Sequence, residues 1–167
     1  MRQTEQAMLR YRDCQQEIDA LLRRFKPLRP IQVAPGERIP GSFWGDPEAG
    51  LIGAAIYLRD DTPVHSALHE AGHFVCMDAA RRAVLHTNAG GDDAEEDAVC
   101  YLQVLMAEQL SVVGMRRLFT DMDAWGYSFR LGSAAAWFEQ DADEARDWLL
   151  WHQLIDGEGC PTWRLRC

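Results

Sequence analysis

The residues in this chain whose types and spacing suit chemistry stand together at His69-Glu70-Ala71-Gly72-His73. On an α-helix, residues four apart lie about 40° apart around the axis and about 6 Å apart along it, so both imidazoles can reach one ion. Glu70, between them, points to the side of that ion, where a carboxylate touches metal-bound water without being a ligand. The spacing separates two ligands from one base. A catalytic zinc ion takes three protein ligands plus water, so a third must come from elsewhere. The run Asp92-Asp93-Ala94-Glu95-Glu96-Asp97 supplies the candidates, and Gly90-Gly91 allow the helix that follows to fold back antiparallel on the first. Glu95 shares the helical register of Ala98, Leu102 and Leu105, the stripe predicted to face the partner helix, and is the expected third ligand. Glu96 and Asp97 lie about 100° and 200° further round, the places of solvated charges capping a helix N-terminus. The chemistry predicted for this set is hydrolysis. Zinc on His69, His73 and Glu95 lowers the pKa of water from roughly 15.7 toward about 7, and Glu70 carries the proton from that water to the leaving amine of a peptide.

The remaining candidates have plainer readings. His65 stands one turn before His69, but it is about 12 Å along the axis from His73, too far to share an ion with it, and is left as a cleft-lining residue. His86 is a ligand only if the first helix ends early, and otherwise belongs to a turn. His152, among Trp148, Leu149 and Trp151, reads as packing, and Cys76 and Cys100 read as buried thiols between the two helices rather than soft ligands. Cys160 and Cys167 pair only under oxidation. Tyr127, after Gly126, offers a phenol for an oxyanion, with packing beside Trp125 and Phe129 the simpler reading.

These residues must be held by elements that the sequence also predicts. Asp61-Thr62-Pro63 caps a helix running from Pro63 to about Arg82, and Asn88-Ala89-Gly90-Gly91 breaks the chain before a helix from Asp92 or Asp93 to about Leu110. Further helices are predicted over Val112 to Trp125 and Ser133 to Leu154. Met8, Tyr11, Ile18, Leu21, Leu22 and Phe25 recur at helical spacing, predicting an amphipathic helix over Thr4 to Phe25 that Pro27 and Pro30 end. Residues 31–50, rich in proline and glycine around Phe43 and Trp44, read as a loop or short hairpin. Leu51 to Arg59 is the best strand.

Length and charge set the outer limits. The 167 residues suit one domain, and 47% hydrophobic with 26% charged residues is enough to fold around a core. The net charge of −9 is uneven: residues 1–39 carry 8 basic and 5 acidic groups, and residues 40–167 carry 9 and 21. Such a body repels phosphate backbones, so nucleic acid is not an expected partner. The apolar run Leu51 to Leu58 is far below the roughly 20 residues a bilayer needs, and no apolar signal segment opens the chain, so no membrane and a cytoplasmic location are expected. Five cysteines without a CxxC pair predict reduced thiols.

HEAGH followed by Glu95-Glu96-Asp97-Ala98 resembles the HExxH and ExxA pair of gluzincin metallopeptidases, and EEDAVCYLQVLMAE resembles the second-helix motif of the metallopeptidases that include bacterial anti-repressor proteases. The resemblance covers about residues 51–110. It implies a helix-rich, zincin-like α+β domain that binds zinc and cleaves a peptide or protein substrate, with Leu51 to Arg59 as the edge strand along which that peptide adds. Val99 departs from the pattern, because many gluzincins have Asp or Asn four residues after the glutamate ligand to orient a zinc histidine. Another group is expected to do this here. The alternative is a non-catalytic metal-binding or protein-interaction domain on the same scaffold.

Overall fold

The computed structural model describes residues 7–42 and 47–167. Among them are seven helices and three strands, the α+β class that the sequence predicts. The strands are β1 (Arg29–Val33), β2 (Gly50–Ile52) and β3 (Ala55–Arg59). The sheet order is β1-β3-β2, with β3 parallel to β1 and antiparallel to β2. The helices are α1 (Gln15–Arg23), α2 (Val64–Cys76), α3 (Ala79–Ala83), α4 (Asp93–Glu108), α5 (Gly114–Trp125), α6 (Ala134–Gln140) and α7 (Asp143–Trp151). None of the helices among the described residues is long and apolar enough to cross a membrane.

One apolar cluster joins β2, β3 and every one of these helices except α3, and α2 runs through it. Eleven of the thirteen residues of α2 are buried, and the two that keep some exposure are His69 and Glu70. The helix therefore reaches the surface only where its chemistry lies. Gly72 makes the fit against α4 possible: a Cβ there would stand 3.0 Å from Val99 Cγ1 and 3.3 Å from Val99 O. The position with no orienting carboxylate is thus a packing contact between the two helices.

Several predicted elements are corrected. Leu51 to Arg59 is not one edge strand. It turns at Gly53, whose φ of +57° suits glycine, and becomes the hairpin of β2 and β3, with β3 at the centre of the sheet. The outer side of β2 is itself paired, since Gly53 N donates to Leu85 O (2.9 Å) and Thr87 N donates to Leu51 O (3.0 Å). Strand β1 starts at the prolines expected only to end the N-terminal helix and runs into the segment read as loop. Its Pro30 lacks an N–H, which an edge strand bonded on one side tolerates. The N-terminal helix is shorter than predicted, because Val64 N donates to Leu9 O and Tyr11 N to Thr62 O, holding residues 9 and 10 extended, and a short 3-10 turn at Tyr11–Asp13 precedes α1. Residues 4–6 of that prediction, and Phe43 and Trp44, lie outside the described residues. The helix predicted over Pro63 to Arg82 breaks at extended Met77, and Asp78 caps α3 by accepting from Arg81 N. The helix predicted over Ser133 to Leu154 is two, α6 and α7, parted at Asp141 and Ala142.

Candidate metal centre

The turn of α2 that surfaces brings the two histidine rings together, with His69 Nε2 and His73 Nε2 3.1 Å apart. From α4, Glu96 faces both: its Oε1 lies 3.0 Å from His69 Nε2 and its Oε2 3.2 Å from His73 Nε2. Ligand atoms around one zinc ion at about 2.1 Å lie about 3.4 Å apart in a tetrahedral shell, so the contacts in this triangle of side chains, with Glu96 turning a different oxygen to each ring, are close to the spacing a metal requires. Burial of the Glu96 carboxyl works to raise its pKa, but the hydrogen bonds with His69 and His73 outweigh this and hold it well below the ordinary carboxylate range.

Glu95, the predicted third ligand, is not at the histidines. Its carboxylate, 2% exposed, accepts two hydrogen bonds from Arg81 (2.9 and 2.6 Å) and one from Arg166 (2.9 Å). Gly91 leaves it room, as a Cβ there would stand 2.1 Å from Glu95 Oε2. The register argument failed because α4 is buried without interruption from Ala98 to Ala107. A helix apolar all round has no single apolar face from which to read which acid looks inward. The face turned to the histidines is Glu96, Cys100 and Gln103, at helical steps of four and three.

Gln103 is the functional residue that sequence reasoning missed. Its Nε2 donates to His65 O (2.7 Å) and to Tyr127 Oη (3.3 Å), which turns Oε1 toward His69 Nδ1 at 3.1 Å. His69 Nδ1 must then carry the hydrogen, and in the neutral ring the lone pair is on Nε2, on the Glu96 side. This is the orienting contact that Val99 cannot make. Its signal in the sequence is a lone amide at 103 in the apolar run from Ala98 to Ala107. Cys100 follows Glu96 by four residues, and its Sγ belongs with His69 and Glu96 to a group of potential ligand atoms within 4.8 Å of one another. Burial works against the His69 cation, but Tyr127, Cys100 and Glu96 raise its pKa well above the usual value. His73 Nδ1, by contrast, is buried with no hydrogen-bond partner among the described residues.

Glu70 lies at the junction of two clefts beside this triangle. One, of about 290 Å³, is lined by Glu48, His65, Ser66, His69, Glu70, Trp125 and Tyr127. The other, of about 230 Å³, is walled by Thr87 to Gly90 and reaches His73 and Glu96. Burial raises the Glu70 carboxyl above its ordinary pKa, against the pull of His69 and His73, and Glu48 and Glu96 add to the rise. A carboxylate tuned upward is the kind that accepts a proton near neutral pH.

The other candidates are placed plainly. His65 is buried, with Nδ1 3.0 Å from Tyr127 Oη, so both belong to the cleft wall. His86 bridges to Ile52 in the strand-like segment beyond β2, away from the ligand triangle, with Nδ1 on Thr87 Oγ1. His152 packs on Trp148 with ring centroids 4.2 Å apart. Cys76 is buried, and Cys160 and Cys167 are exposed free thiols. Compared with protein-family models, curated proteins and solved structures, the chain matches none of them.

Proposed function

We propose that this chain is a zinc-dependent peptide hydrolase, with His69, His73 and Glu96 as the metal ligands and Glu70 as general base. The observation that carries this reading is the triangle of His69 Nε2, His73 Nε2 and Glu96 at 3.0 to 3.2 Å, with Glu70 beside it on the exposed turn of an otherwise buried helix. Zinc in a set of two imidazoles and a carboxylate supplies the Lewis acidity that makes water a nucleophile near neutral pH. Glu70 takes the proton of the attacking water on its carboxylate and returns it to the leaving amine nitrogen. Gln103 holds the His69 ring in the tautomer that presents Nε2. Tyr127 Oη, fixed by Gln103 and His65, is the nearest neutral donor for a developing oxyanion.

A second reading, a non-catalytic domain that keeps the metal set for folding or protein binding, is favoured by one observation. The outer side of β2, where a peptide was expected to add, is already paired with Leu85 and Thr87. The peptide must then be held by the two clefts flanking Glu70 rather than by strand addition. One experiment separates the readings: zinc content by elemental analysis, beside cleavage of a mixed peptide library, for the unaltered chain and Glu70→Gln. Hydrolysis predicts stoichiometric zinc in both and cleavage lost by roughly 10² to 10⁴-fold in the variant, which keeps size and hydrogen bonding but not the base. Zinc in both with cleavage in neither selects the non-catalytic reading, and equal cleavage by both refutes Glu70 as the base.

A further inference from the structure

The cleft of about 290 Å³ on the His65 side of Glu70 is lined by two carboxylates, one hydroxyl and the rings of His65, His69, Trp125 and Tyr127. Two carboxylates, Glu48 and Glu70, stand in its wall with Ser66, whose Oγ accepts from Ala49 N. Trp125 is 39% exposed and packs its indole on the His65 ring, with centroids 4.8 Å apart. Among the described residues, no lysine or arginine lines the cavity. His65 is 1% exposed and its Nε2 has no hydrogen-bond partner among the described residues. In the tautomer whose Nδ1–H donates to Tyr127, that Nε2 is a buried acceptor awaiting a donor.

We infer that this cleft is a subsite for a basic side chain, arginine above lysine, of the peptide that the Glu70 site would hydrolyse. The inference rests on that hydrolytic reading for its place beside the scissile bond, but the cavity chemistry stands apart from it. A guanidinium is planar and stacks on an indole face while its N–H groups fork toward carboxylates and a ring nitrogen. An ammonium makes no such fork and is more strongly hydrated, so lysine binds less well. The surroundings act in the same direction: residues 40–167 carry 9 basic against 21 acidic groups, a net −12 that draws cationic peptides toward the cleft.

The test is calorimetry on the zinc-loaded full chain with acetyl-argininamide and with acetyl-citrullinamide, which keeps the shape of arginine without its charge. The expected result is at least tenfold tighter binding of the arginine compound, with the preference reduced about tenfold by Glu48→Gln and by Trp125→Leu. Equal binding of the two compounds, or binding of neither, overturns the subsite. The same variants in the peptide library keep this outcome distinct from the fate of the hydrolytic reading. Arginine binding without cleavage leaves the subsite standing and removes the hydrolase. Cleavage with no enrichment of arginine or lysine beside the cut leaves the hydrolase standing and removes the subsite.

Discussion

Glu95 and Glu96 carry the same charge on successive residues of α4, and a rotation of about 100° sends them to opposite surroundings. The carboxylate of Glu95 lies in the interior, bound by Arg81 from α3 and Arg166 from the C-terminal segment. That of Glu96 is 48% exposed at the side chain and meets two imidazoles. Permanent cations in a closed site make Glu95 a fastener between segments distant in sequence. Neutralisable rings at an open site leave Glu96 free to exchange its partners for an ion. The more buried acid is therefore the structural one, which is the reverse of what a search for inward-facing charge selects.

Four measurements sharpen or break this contrast. Glu96→Gln is expected to weaken zinc binding by about 10³-fold or more, because it removes a ligand and outer-shell losses alone cost about 10 to 100-fold. Competition with a chromogenic chelator measures it, and Glu95→Gln in the same assay should change affinity less than about tenfold. Similar losses in the two variants would erase the distinction. In urea denaturation the order reverses: Glu95→Gln should cost about 3 kcal/mol by leaving two arginines without their buried partner, and metal-free Glu96→Gln less than about 1 kcal/mol.

Gln103→Leu tests whether the amide tunes the ligand side of the contrast. Zinc affinity should fall about 10 to 100-fold as His69 loses its orienting acceptor, with helix content unchanged by circular dichroism. An unchanged affinity would show that the amide does not orient the ring. The last measurement concerns His65. Burial, with the nearby charges of His69 and Arg10, lowers its pKa to about 3, against roughly 6.5 in an unfolded chain. Between these values the unfolded state takes up a proton that the folded state refuses, so stability falls by up to about 1.4 kcal/mol for each unit that pH drops from about 6.5. His65→Gln removes this term, and the gap between its stability curve and that of the unaltered chain should change with pH only in that window. Parallel curves would show that His65 is not held neutral.

What the sequence made legible and what it hid follow from how far each signal travels. The HExxH spacing is local, and the structure brings His69 and His73 together as that spacing requires. The helix starting at Asp93 was readable from the Asp92 cap and the glycines before it. The choice between Glu95 and Glu96 was not, because it depends on Arg81 and Arg166, the latter 71 residues away. Arg81 reaches Glu95 only because the chain breaks at Met77 and restarts at Asp78, and that Asp before two alanines was a capping signal that the longer predicted helix overran. Strand β1 was hidden by reading Pro30 as punctuation, and the position of β3 by its being set by strand order rather than local pattern.

Arg166 gives the molecule a schedule. Its N–H bonds Val75 O, and its guanidinium bonds Cys76 O, 90 residues earlier, and Glu95. Chains are made from the N-terminus, so α2 and α4 leave the ribosome well before the residue that completes the neutralisation of the Glu95 carboxylate between them. Until then Arg81 alone balances that charge, and the start of α4, with Glu96 on it, has one anchor instead of two. A nascent chain thus carries the two histidines early and the second anchor of Glu95 late, so residue 166 must be made and leave the ribosome before the start of α4 is held in its final shape.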